Sequence, residues 1–150
     1  MKFSKIFLAI LVLIVVSGIG VAVAAEASVG DHTFTIPDGY KLLNSTDDTA
    51  ILQEGNTHAI VVMMSDEVKS IDDARKNLES KGYEFLGSQK YNADGKDVEQ
   101  QNYGTDELTV MAYVFDVGSE KCIVTYTIPA NETPKEGSDN PVTTILNTIE

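Results

Sequence analysis

One cysteine, no tryptophan and two histidines leave this 150-residue chain short of the side chains that most often carry chemistry. A single cysteine, Cys122, excludes an internal disulfide framework, so the fold must rest on packing. His32, His58 and Cys122 fall on separate expected strands, with no CxxC or HxxxH spacing to bind zinc. Cys122 reads as a small buried residue of a central strand, and His58 as a strand-start residue at the sheet margin. There is no phosphate-cradling glycine loop, no dinucleotide fingerprint and no G-x-S-x-G elbow, so no cofactor is expected. Basic residues are scarce as well. Beyond residue 25 there are nine against 23 acidic ones, a formal charge of −14. Nucleic acid and anionic lipid headgroups are bound chiefly through Lys and Arg, and such a surface repels both.

What is present begins with a delivery segment. Lys2 and Lys5 precede an uncharged apolar run from Ile6 to Ala25, and polar sequence follows at once. This is the layout of a secretory signal, with A-x-A cleavage sites at Ala22 and Ala24 or at Ala25 and Ala27. Twenty apolar residues also suffice to cross a bilayer core of roughly 30 Å at about 1.5 Å per residue. Residues 1–25 therefore read as a signal peptide or as an N-terminal membrane anchor. In both cases the basic residues stay inside, and residues 26–150 are expected on the extracellular face. That remainder suits one domain with one core.

Alternation and turn chemistry give the order of elements. Residues 31–36 and 40–44 are expected as strands joined by Pro37-Asp38-Gly39. TAILQ at 49–53 and HAIVVMM at 58–64 form a hairpin through Glu54-Gly55-Asn56, and the second run, apolar on both alternating sets, is a central strand. Ser70 caps a helix with Ile71, Ala74 and Leu78 on one face and Gly82 at its end. YEFLGSQKY at 83–91 and KDVEQQNY at 96–103 flank Asp94-Gly95, the pair preferred in a type I′ turn, and their polarity marks an edge hairpin. LTVMAYVFDV at 108–117 and KCIVTYTI at 121–128 belong in the middle of the sheet. After a polar loop at 129–140, Asn140-Pro141 caps a last helix with Val142, Ile145, Leu146 and Ile149 on one stripe. The order β-β-β-β-α-β-β-β-β-α reads as an α+β layered domain, an antiparallel sheet with amphipathic helices packed on it.

FTIPDGY at 34–40, the helix after the fourth strand, the paired hairpins and the closing TTILNTI helix together resemble the PsbP/Mog superfamily over most of residues 31–150. That resemblance implies a compact domain that works by binding other macromolecules and shares no catalytic residues. The family's basic docking surfaces have no counterpart among these residues.

Function is therefore expected from contact. The chain reads as an exported, non-catalytic binding or interaction module at the cell surface. Its partner is another protein or a cell-surface component, and it touches the membrane only through its N-terminal segment. Candidate contact residues are Tyr83, Tyr91 and Tyr103 on the edge hairpin and Pro134 in the long loop, since aromatic side chains are enriched where proteins meet. Two N-x-[ST] sequons, at Asn44 and Asn131, are possible glycosylation sites in expected loops. The alternative is a small extracellular hydrolase or calcium-dependent enzyme whose site assembles from distant residues. NADGKDVE at 92–99 fails as an EF-hand, because aligning Gly95 at the sixth position puts Lys90 first and Gln101 twelfth. Acidic pairs at Asp47-Asp48, Asp66-Glu67 and Asp106-Glu107 read as ordinary solvation near turns.

Overall fold

The computed structural model describes residues 26–65 and 72–150. Nine strands, two α-helices and one 3₁₀ turn make up the described chain. Strands β1 (Glu26–Val29) and β2 (His32–Thr35) pair in a small two-stranded sheet, with Ala27 opposite Phe34. The others are β3 (Lys41–Ser45), β4 (Thr49–Glu54), β5 (His58–Ser65), β6 (Glu84–Ala93), β7 (Lys96–Gly104), β8 (Leu108–Val117) and β9 (Glu120–Pro129). They form one antiparallel sheet in the order β3-β4-β5-β9-β8-β7-β6. Two meanders, β3-β4-β5 and β6-β7-β8-β9, are joined by helix α1 (Asp72–Ser80) and meet where β5 pairs with β9. Helix α2 (Pro141–Thr148) follows the 3₁₀ turn Gly137–Asp139.

The expectation of an α+β layered domain needs correction. Strands take more than half of the described residues and α-helices only 17 of them, so the domain is mainly β, and its helices do not form a layer of their own. The physical reason is length and polarity. Helix α1 has nine residues, and Leu78 is its buried side chain among those described, in a run otherwise rich in charge. Helix α2 has eight residues and seats Val142, Ile145 and Leu146 in the core as a plug. Ser70 and Ile71, expected at the start of the first helix, lie outside the described residues, as does the N-terminal segment 1–25. Among the described residues no helix is long and apolar enough to cross a membrane.

A further strand, β1, lies ahead of the expected first one. The turn after β2 also does more than reverse the chain. Tyr40 N–H donates to the Pro37 carbonyl at 3.1 Å, and Gly39 takes a φ of 86° at the position where a type II turn needs a residue without a Cβ. A Cβ at Gly39 would also strike the Glu54 carboxylate. The turn carries the chain from the small sheet into the large one, because β2 pairs with β1 and β3 pairs with β4.

Other local signals fold as expected. Asp94 and Gly95 have φ of 51° and 77°, the left-handed pair of a type I′ turn. Helix α1 closes with Tyr83 N–H on Leu78 O and Gly82 N–H on Glu79 O, the Schellman pattern with glycine at C′. Asn140 caps α2 by accepting from Val142 N–H at 2.9 Å. β5 is buried along nearly its whole length at the centre of the sheet, and β6 is an outer strand.

The sheet is apolar on both faces. On one, Leu52, Ile60, Val124 and Phe115 meet Val29 and Phe34 of the small sheet and Ile145 of α2. On the other, Met63, Val110 and Ile123 meet Leu78, Tyr83 and Tyr103. Ile145 is fully buried, so Ile145→Asp should destabilise the domain by several kcal/mol in urea unfolding, since it strands an unpaired charge in the core. Asn140→Ala should cost about 1 kcal/mol through the lost cap. An unchanged midpoint for Ile145→Asp would contradict the packing of α2.

Candidate functional site

At one end of the large sheet the 37–40 turn, the adjoining ends of β4, β5 and β9, and the 129–140 loop enclose a cleft of about 410 Å³. Alternation dictates who faces it. Glu54, His58 and Tyr126 point to the same side of the sheet as the core residues Leu52, Ile60 and Val124, two positions along each strand. The turn then brings Tyr40 against Tyr126, and the two hydroxyls share a hydrogen bond.

His58 fixes the loop. Its Nε2 lies 2.8 Å from Glu132 Oε1 and its Nδ1 2.8 Å from Thr57 Oγ1. The neutral ring with its proton on Nε2 satisfies both contacts, donating to the carboxylate and accepting from the hydroxyl. The other end of the loop is held by Asn140, whose Nδ2 donates to the Tyr113 hydroxyl at 3.1 Å while its Oδ1 caps α2. Between these anchors residues 131–133 and 135–139 are exposed.

The field in the cleft is negative. Asp38, Glu54, Glu132 and Asp139 line it against Lys135. Burial raises the proton affinity of Tyr40 and Tyr126, and the charges of Glu54 and Glu132 add to the effect at both hydroxyls. The tyrosines are thus uncharged hydrogen-bonding groups, with no tendency to act as bases near neutrality.

The residues singled out in the sequence are dispersed. Tyr103 is fully buried and Tyr83 nearly so, both in the core of the second face, and this removes them from a contact surface. Tyr103 donates internally to Gln101 Oε1 and stacks edge-on to Phe85. Tyr91 is half-buried and packs on the first core. Pro134 is half-buried within the loop that borders the cleft. Asn44 and Asn131 are both exposed, the first on β3 and the second in the loop. His32 sits far along the chain from the cleft, with Nε2 3.0 Å from Glu120 Oε1. Cys122 is completely buried, and burial pushes its thiol well above the ordinary range. Among the described residues no group of three or more His, Cys, Asp or Glu side chains could hold a metal ion, and Asp66-Glu67 lies outside them. Tyr40, Glu54 and Tyr126, which make the cleft, were not among the expected contacts. The one local signal was Tyr40 in the opening FTIPDGY stretch.

No family model and no curated protein matches this chain. A crystal structure from Bacteroides thetaiotaomicron VPI-5482 is similar, with a TM-score of 0.54 and 12% identity over 79% of this chain. The match spans 44% of that other chain. At such identity the likeness concerns the fold alone.

Every tyrosine of the domain holds its proton above the ordinary value of 10.0, and for Tyr103 and Tyr113 burial pushes the value up to about 12. The folded state therefore binds more protons than the unfolded chain in this range. The stability it gains is complete below pH 10 and falls as pH climbs towards 12. Tyrosinate absorbance of the folded protein should accordingly lag that of the urea-unfolded chain. Coincident titration curves would contradict the burial of these rings.

Proposed function

We propose that this chain is exported and acts outside the cytoplasm as a binding module without catalysis, taking a positively charged segment of a partner protein or cell-surface component in the cleft beside the 129–140 loop. The observation that carries this reading is the cleft itself: four carboxylates and two un-ionised tyrosine hydroxyls, bordered by an exposed loop tied at Glu132 and Asn140. A loop held in place before its partner arrives loses less freedom on binding. The resemblance of the opening and closing segments to the PsbP/Mog superfamily, whose members act by binding, is in line with it, as is the apolar leader at residues 6–25.

The hydroxyl–imidazole–carboxylate chain Thr57, His58, Glu132 favours the second reading, a small hydrolase. Its geometry is divided, however. Thr57 opens towards a cavity of about 220 Å³ on the other face of the sheet, lined by Ala59, Leu108 and Pro129, while Tyr40, Tyr126 and Glu132 line the cleft, and His58 borders both. Thr57 and Glu132 are also exposed, so water competes at both ends of the chain.

A lysine-rich peptide titrated into the protein should bind saturably and shift the amide resonances around Tyr40, Glu54 and Glu132, with affinity falling as salt rises. Replacing Glu54 and Glu132 by Gln should each weaken it about two- to fivefold, the scale of an exposed ion pair. Equal affinity for a glutamate-rich peptide would refute the charge argument. Ester turnover that vanishes in Thr57→Ala would hand the assignment to the hydrolase.

A further inference from the structure

We propose that Asn44 carries an N-linked glycan which closes the outer edge of β3 and covers Ile51. The inference rests on the export reading above. Asn44-Ser45-Thr46 satisfies the sequence requirement for the modification, and the structure supplies the rest. β3 is the outermost strand of the large sheet on its side. Asn44 is exposed there, directly after an irregularity in the pairing between Leu42 and Asn44. Its neighbours are occupied: Ser45 Oγ donates to the Ser28 carbonyl at 2.6 Å, and Thr46 Oγ1 bonds Asp48 Oδ1 at 3.2 Å. The Asn44 amide makes no side-chain hydrogen bond among the described residues, so attaching a sugar breaks nothing.

Register decides where the glycan goes. Asn44 stands opposite Ile51, and Ile51 opposite Val61. Directly opposed residues project from the same face, so the first sugar starts beside half-buried Ile51, in line with the row that runs to Val61. The apolar face of a sugar ring would cover the part of Ile51 still open, and its bulk would block the unpaired backbone groups of β3. An open edge is a template for strand addition. The opposite edge, β6, has other protection: Glu84 and Lys90 along it and its own pairing irregularity between Phe85 and Gly87.

The chemistry is a group transfer from a lipid-linked oligosaccharide. Asn44 Nδ2 forms a bond to C1 of the first sugar and loses a proton, while the C1–O bond to the polyprenyl phosphate breaks and the lipid phosphate leaves with the electron pair.

The test uses the full-length protein recovered from the cells that make it, with its location recorded, digested with trypsin and analysed by mass spectrometry. The peptide 42–69, bounded by Lys41 and Lys69, should be heavier by at least one sugar residue at Asn44, and the Asn44→Gln protein should lack that mass. Protein outside the cytoplasmic membrane with a bare 42–69 peptide overturns the glycan and leaves export standing. Unmodified protein inside the cytoplasm overturns both. For the closing of the edge, the Asn44→Gln protein should sediment with the mass of a dimer at concentrations where the glycoprotein is a monomer. A monomeric variant overturns that role.

Discussion

The pairing of β5 with β9 holds this structure together. Seven consecutive residue pairs, from Ala59 with Thr127 to Ser65 with Lys121, join two meanders that would otherwise be separate sheets with open apolar edges. Everything of interest hangs on that seam. The two core clusters lie on either side of it, α2 closes one face, and the cleft opens where its strands end. Because the partners are some 60 residues apart in sequence, the seam is costly in loop closure and belongs to the slow-folding class of contacts.

The cleft inherits this dependence. Its lining comes from the 37–40 turn, the β4–β5 hairpin, the end of β9 and the approach to α2, four places that adjoin only when the seam is complete. The surface proposed to take a partner therefore exists only in the finished fold, and a half-folded chain lacks it.

Local physics was legible in the sequence, and non-local physics was not. Asn140-Pro141, Asp94-Gly95 and Gly82 each act within a few residues, and each sits where its chemistry demanded. The two-sided apolar run of β5 declared itself central for the same reason. The β1 strand was missed because Glu26–Val29 directly follows the apolar leader and offers only Ala27 and Val29 as alternation. The fold class was misjudged because helical periodicity reports that a helix exists and says nothing of how little area eight or nine residues can cover. Tyr83 and Tyr103 were misread as contact residues for a related reason. A tyrosine on an edge hairpin looks available until α1 packs over it, and Leu78 buries Tyr83 and Tyr103 in just that way. Tyr40 and Tyr126, or His58 and Glu132, meet across so much chain that no spacing could announce them.

On the export proposed above, the buried thiol of Cys122 matters in an oxidising compartment. A lone cysteine is a hazard there, since any exposed thiolate can be captured by a second molecule or by a disulfide of another protein. Here the sulfur sits on β9 in the seam itself, opposite Met64 and Phe115, shut from solvent and held as the poorly nucleophilic thiol. Redox capture is confined to the interval before β9 is paired, so the pairing that creates the fold also ends its chemical vulnerability.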